Sequence, residues 1–155
     1  MTMVRRLSWV VSFALAIAPS LAAAEVEWRP ALSGGYSKVV DGHAAFGAAL
    51  RVQLTSFFFV QPEYLVLAAD DHSDYGPAVL VGLSGRRRES LRPFIGLGGG
   101  PVKGYAGDDN IFYGAIGASY PVARKQGAFV QAEIRYGLLG ESAYSQFTLG
   151  VGISR

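Results

Sequence analysis

The sequence has no cysteine, only two histidines, two tryptophans and two methionines, and no long uncharged run after residue 24. Without cysteine there is no disulfide framework, no thiolate metal site, no catalytic thiol and no lipidated N-terminal Cys, while an oxidising envelope compartment stays open. The longest uncharged stretches beyond residue 24, Asn110 to Ala123 and Ser142 to Ser154, fall short of the roughly 18 residues that a membrane-crossing helix needs. An excess of charge of one sign is missing as well. Once Arg5 and Arg6 of the N-terminal segment are set aside, the 14 Lys and Arg become 12, against 12 Asp and Glu. A chain with no net charge and no basic stripe gives no footing for nucleic acid as a partner.

What is present begins with an address. Arg5 and Arg6 form a basic start, Trp9 to Ala18 is apolar except for Ser12, Pro19 and Ser20 end the run, and Ala22 and Ala24 supply the small side chains a signal peptidase accepts. This predicts a cleaved signal peptide over residues 1–24 and an exported domain over residues 25–155.

From Glu25 onward the dominant signal is period two, the period of a strand. Phe46, Ala48, Leu50, Val52 and Leu54 share one face, opposite Ala45, Gly47, Ala49, Arg51 and Gln53. The pattern recurs with Phe58 to Val66 against Gln61 and Glu63, and with Tyr75 to Leu83 against Gly76, Ala78 and Gly82. It continues with Leu91 to Leu97 against Arg92, Phe94 and Gly96, Phe112 to Tyr120 against Tyr113 and Ala115, Val130 to Tyr136 against Gln131, Glu133 and Arg135, and Phe147 to Ile153 against Thr148 and Gly150. With a weaker first strand through Trp28, Leu32 and Tyr36, the count is eight. Turn chemistry separates them at Asp41-Gly42, Thr55-Ser56, Asp70 to Asp74, Gly85 to Arg88, Gly107 to Asn110, Lys125 to Gly127 and Gly140-Glu141. Roughly 16 residues per strand and connection fit tilted membrane strands of about 9 to 11 residues joined by short loops.

Eight strands with one apolar face could close with that face inward, as in a soluble lipocalin-like barrel, or outward, in a membrane. The polar face decides for the second arrangement. It mixes long charged residues at mid-strand (Arg51, Glu63, Arg92, Glu133, Arg135) with many glycines and alanines, as a narrow lumen requires and a solvated surface does not. The apolar face carries aromatics near strand ends (Trp28, Tyr36, Tyr64, Tyr75, Phe112, Tyr120, Tyr136, Phe147), as interfacial girdles do. The predicted fold is all-β: an eight-stranded antiparallel up-and-down transmembrane β-barrel following a cleaved signal peptide. In hydrocarbon a closed sheet is the only β solution that satisfies every backbone group.

The phrases Leu91-Arg-Pro-Phe-Ile-Gly-Leu-Gly-Gly-Gly100, Phe59-Val-Gln-Pro-Glu-Tyr64, Gln131-Ala-Glu-Ile-Arg-Tyr-Gly137 and Leu149-Gly-Val-Gly-Ile153 resemble the outer-membrane β-barrel domain family, which includes the porin-family and opacity-type small barrels. The resemblance covers the whole chain after the signal segment and implies a compartment more than a task. It implies the outer membrane of a Gram-negative-type cell, with outer-membrane lipids, lipopolysaccharide and the barrel-assembly machinery as partners, and a monomer. One position departs from the pattern: where barrels of this family finish on an aromatic residue, the in-phase position here is Arg155.

The strongest polar constellation is the lumen set Arg51, Glu63, Arg92, Glu133 and Arg135. Charges enclosed in a low-dielectric barrel must pair, so these residues are expected to form a network that fills the lumen, and Glu63, Glu133, Arg92 and Arg135 are expected to meet. The alternative use of such a set is to gate ions in a narrow channel. A lipid A-modifying hydrolase would need a serine and a histidine on one face, but His72 and Ser73 are adjacent and adjacent strand residues point to opposite sides. No catalytic residue and no enzyme are predicted. The acids Asp70, Asp71, Asp74, Asp108 and Asp109 fall in predicted connections on the end away from the termini, where hard cations could bridge carboxylates to lipopolysaccharide; they are the only candidate metal ligands. No cofactor is expected, since Gly96 to Gly100 follow a strand with no helix pattern after them. The function these observations suggest is a structural or surface-interaction barrel with a side-chain-filled lumen.

Overall fold

The structure, a computed structural model, describes residues 27–38, 42–68, 73–85, 90–104, 107–123 and 127–154. They form strands β1 (Glu27–Lys38), β2 (Gly42–Gln53), β3 (Phe58–Ala68), β4 (Ser73–Ser84), β5 (Arg92–Gly104), β6 (Gly107–Ala123), β7 (Ala128–Leu139) and β8 (Ser142–Ile153). Each strand pairs antiparallel with the next, and β8 pairs back onto β1, so the sheet closes as a barrel with no free edge. Following paired residues once around, from Glu27 through Gln53, Phe59, Gly82, Gly96, Ala115, Arg135 and Gln146, returns to β1 at Ser37, ten residues further on. That stagger tilts the strands and leaves an interior just wide enough for side chains to fill.

The period-two phases are those the sequence predicts. Along β3 the burial alternates through Phe59, Gln61, Glu63, Leu65 and Leu67, all buried, while Pro62 and Tyr64 between them are exposed. Leu97, Tyr136 and Leu32 are 71, 70 and 66 % exposed, whereas Arg51 and Glu133 are 3 and 2 % exposed. Hydrophobic residues therefore cover the outside and charge sits inside, a distribution that suits hydrocarbon and not water. Trp28 and Tyr120 stand near the end where the termini lie, and Tyr36, Tyr75 and Tyr136 toward the far end, with Tyr64 stacked on Tyr75 at 6.5 Å. Small outward residues, Gly34, Ala118 and Ala132 in one place and Gly114 in another, leave two apolar grooves of about 770 and 780 Å³ between larger side chains on this face.

Inward glycines make room for inward rings. A Cβ on Gly98 would stand 2.5 Å from the Tyr113 ring, and one on Gly117 would stand 2.5 Å from that of Phe94. Each ring occupies the space beside its paired glycine on the neighbouring strand, where no side chain stands. At the turns, Thr55 Oγ1 accepts from the N–H of Phe57 and of Phe58, closing the β2–β3 connection. Gly140, with φ of 58°, takes the first position of the two-residue β7–β8 hairpin between paired Leu139 and Ser142.

Two predicted connections are corrected. Gly107 to Asn110 is strand, not loop: β5 and β6 stay paired up to Gly104 and Gly107, so Asp108 lies opposite Lys103 and Asp109 opposite Val102. Asp74 likewise lies within β4, opposite Leu67. In both places the ladder continues past the apolar belt, because paired backbone tolerates polar side chains once the strand has left hydrocarbon. Asp70, Asp71 and His72, together with residues 1–24, over which a signal peptide is expected, lie outside the described residues.

The lumen as candidate functional site

Because alternate residues of every strand point inward, the lumen is built in tiers. Near the terminal end lie Glu27 and Arg29 of β1, Arg51 of β2 and Arg92 of β5. At mid-height are Gln61 and Glu63 of β3, Tyr113 of β6 and Glu133 and Arg135 of β7. Toward the far end come Ala45, Leu65, Leu67, Val102, Ile111 and Tyr144, all buried.

The middle tier turns on one guanidinium. Arg135 Nη1 and Nη2 donate to Glu63 Oε1 and Oε2, both at 2.8 Å, in a bidentate fork, and its Nε donates to Glu133 Oε1. The Tyr113 hydroxyl also donates to Glu63 Oε1, Gln61 Nε2 donates to Glu63 Oε2 at 2.9 Å, and the guanidinium carbon of Arg135 lies 4.7 Å from the centre of the Tyr113 ring. Glu63, Glu133 and Arg135 are thus brought together.

Arg92 is not with them. Its Nη1 donates to both carboxylate oxygens of Glu27 at 3.2 Å, near the terminal mouth, and its side chain keeps 19 % exposure. The expectation that Arg92 joins the other three is corrected by register: Arg92 pairs with Ser119, whereas Glu133 pairs with Gly117 and Arg135 with Ala115, and the barrel's stagger drops Arg92 toward the mouth. Arg51 borders the middle tier, its Nε donating to Gln61 Oε1 at 2.8 Å while its guanidinium lies 4.2 and 4.0 Å from the Phe59 and Phe94 ring centres.

Sequence reasoning missed Glu27, Arg29, Gln61 and Tyr113 as members of the site. The signal for the first two was present, since Glu27 and Arg29 alternate with Trp28 and Pro30, but the first strand reads weakly. Among the described residues no group of three or more His, Asp or Glu could hold a metal ion. Asp108 and Asp109 are exposed on β6, and Ser73 is exposed at the start of β4.

A closed, eight-stranded antiparallel barrel with an apolar exterior defines the fold class: that of the small outer-membrane barrels. The sequence matches no protein-family model, and no curated protein matches it. Solved structures do. Neisserial surface protein A (NspA) matches with a TM-score of 0.64 at 10 % identity, over 84 % of this chain and 97 % of that one. A de novo designed transmembrane β-barrel matches with a TM-score of 0.64 at 14 % identity, over 83 and 95 % of the two chains. Ail, the attachment invasion locus protein of Yersinia pestis, matches with a TM-score of 0.56 at 14 % identity, over 85 and 100 %. At such identities the likeness is one of fold. A designed barrel fits as well as a natural surface protein, so shape by itself assigns no task.

Proposed function

We propose that this chain is a small outer-membrane protein of a Gram-negative-type cell with a structural or surface-interaction role, its lumen occupied by its own side chains. The observation that carries this reading is the far tier: Leu65, Leu67, Ile111 and Tyr144 are 3, 1, 0 and 0 % exposed, so among the described residues large, mainly apolar side chains fill that end. Export on this reading uses a signal peptide cut after Ala24, both termini face the periplasm, and the hairpins of the far end face outward. Its partners are outer-membrane lipids, lipopolysaccharide bridged through divalent cations to the acids of the far end, and the machinery that inserts barrels, and it works as a monomer. The surface roles of similar barrels support the reading at the level of class.

Membrane fractionation combined with heat-modifiable gel mobility tests it. The protein should sediment with the outer membrane and run as a compact species until boiled. In planar bilayers it should give no sustained conductance; steady ion-selective current would replace this reading with that of a narrow channel. Lipid A from cells with and without the protein should have the same mass spectrum, and an acyl-chain difference would make it an enzyme.

A further inference from the structure

Each of the two apolar grooves on the outer face has a lysine at the same distance along one of its strands. The first groove takes in Leu32 and Gly34 of β1 with Ala132 and Leu149, and the second takes in Leu97 of β5 with Val81, Gly114 and Ile116. Six residues beyond Leu32 and Leu97, in the same outward phase, stand Lys38 and Lys103, both exposed. The two stretches repeat one another: Leu32-Ser-Gly-Gly-Tyr-Ser-Lys38 and Leu97-Gly-Gly-Gly-Pro-Val-Lys103. In each, the second glycine faces inward where a Cβ would strike a carbonyl of the next strand, that of Phe147 for Gly35 and that of Pro77 for Gly100. The repeat therefore holds in the backbone as well as in sequence. β1 and β5 lie four strands apart in a ring of eight, on opposite sides of the barrel.

Among the described residues these lysines are the basic side chains of the outer face, since Arg29, Arg51, Arg92 and Arg135 point inward. Neither lysine has a carboxylate within ion-pair distance among the described residues. Tyr36 precedes Lys38 in the outward phase and Tyr75 is the direct partner of Lys103, so both amines stand where the aromatic girdle meets the headgroups. Six residues at a rise of about 3.3 Å span about 20 Å, and a strand tilt of about 40° turns that into about 15 Å of depth, half of a hydrocarbon core of about 30 Å. Each groove thus lies near the bilayer midplane when its lysine is at headgroup level. That separation is the reach of one lipid, from its phosphate to the end of an acyl chain.

We infer, on the proposed reading that the far end faces outward, that each of these strands docks one lipopolysaccharide molecule, a lipid A phosphate on the lysine and an acyl chain in the groove. An ammonium without a counter-ion at the interface calls for an anion, and a groove continuous with the lipid-facing surface calls for hydrocarbon. A phosphorylated lipid of the outer leaflet carries both. Asp108, the direct partner of Lys103, would repel a bare phosphate, and the divalent cation that joins far-end acids to lipopolysaccharide removes that repulsion. Lys38 stands between Gly42 and Ser145 and has no acid in its row.

The test uses the barrel of the full chain in a neutral detergent with magnesium, with purified lipid A as the probe and phosphatidylglycerol as the rival lipid phosphate. Native mass spectrometry should find two lipid A molecules retained per barrel. Lys38→Gln and Lys103→Gln should each leave one, the double variant none, and Lys103→Arg two. Gly114→Leu fills the second groove from a position where a Cβ comes no closer than 3.9 Å to its neighbours, and it should leave one with Lys103 intact. Heat-modifiable mobility identifies the folded variants, and if Gly114→Leu does not fold the lysine variants decide. Lipid A retained undiminished by the folded double lysine variant, or phosphatidylglycerol retained as well as lipid A, would overturn the inference. An epitope inserted in the Gly140–Glu141 hairpin separates this outcome from the reading beneath it. Antibody binding on intact cells with no lipid A retained would defeat the docking alone, whereas an epitope hidden until the cells are broken would defeat the outward far end and the docking with it.

Discussion

The middle and far tiers of the lumen are neighbours on the same strands, yet they hold the barrel together in opposite ways. On β3, Glu63 and Leu65 are consecutive inward residues, and on β6 so are Tyr113 and Ile111. Within that single step the interior passes from a hydrogen-bonded ion cluster to a plug of mainly apolar side chains. The ion cluster stands on one guanidinium shared by two carboxylates, whereas the plug stands on volume. The difference teaches that a narrow membrane barrel need not have a uniform interior: one tier sets which partners each side chain must have, and the other sets whether anything passes.

The sharpest way to break the comparison is Arg135→Met. It leaves Glu63 and Glu133 facing each other without their shared cation, and removing one partner of a buried ion cluster destabilises by about 3–5 kcal/mol. Urea unfolding in lipid vesicles should show that loss, and adding Glu63→Gln and Glu133→Gln to Arg135→Met should recover most of it. If the single variant were as stable as the parent, the middle tier would not depend on charge compensation. In the far tier, Leu67→Ala should cost on the order of 3 kcal/mol, the usual penalty for an unfilled cavity. It should also begin to admit ions in a bilayer, which Arg135→Met need not do. A Leu67→Ala barrel that stays electrically silent would locate the seal elsewhere.

The alternation was legible in the sequence because the side-chain period of a strand is two and one face had to meet lipid; Phe46, Val81, Ile134 and Leu149 follow directly from it. Which inward charges meet was not legible. That depends on register and stagger, and neither is written into any one strand: Arg92 has the right phase to join Glu63 and the wrong height. The inward aromatics were readable as phase but not as partners, since Tyr113 reaches Glu63 only because Gly98 clears the space beside it. Gly107 to Asn110 misled because its composition is that of a turn, while the backbone pairing with β5 continues through it.

A smaller effect separates position from partnership in the middle tier. Tyr113→Phe keeps the ring over Arg135 and deletes the hydroxyl that donates to Glu63. A hydrogen bond to a charged group contributes about 1.5–3 kcal/mol, so the loss should be detectable by urea unfolding and smaller than that of Arg135→Met. A loss equal to that of Arg135→Met would mean that the tyrosine, not the arginine, organises the tier.

The smallest effect is that of Asp109→Asn, set against the same chemical change at Glu133. Glu133→Gln and Asp109→Asn each replace a carboxylate by its amide at nearly constant shape. Glu133 is 2 % exposed and receives the Nε–H of Arg135; its amide would still accept from that donor but would no longer balance the charge, so this variant should unfold markedly earlier in urea. Asp109 is exposed at the far end of β6, where its Oδ1 accepts from the Asn110 N–H at 2.7 Å, a bond that an asparagine oxygen can keep. With water to solvate it and no buried cation to answer, Asp109→Asn should change stability by less than about 0.5 kcal/mol. Parallel urea titrations of the two variants measure the contrast, and equal midpoints would show that the lumen is solvated like the rim, which would undo the distinction between interior and surface on which the tiers rest.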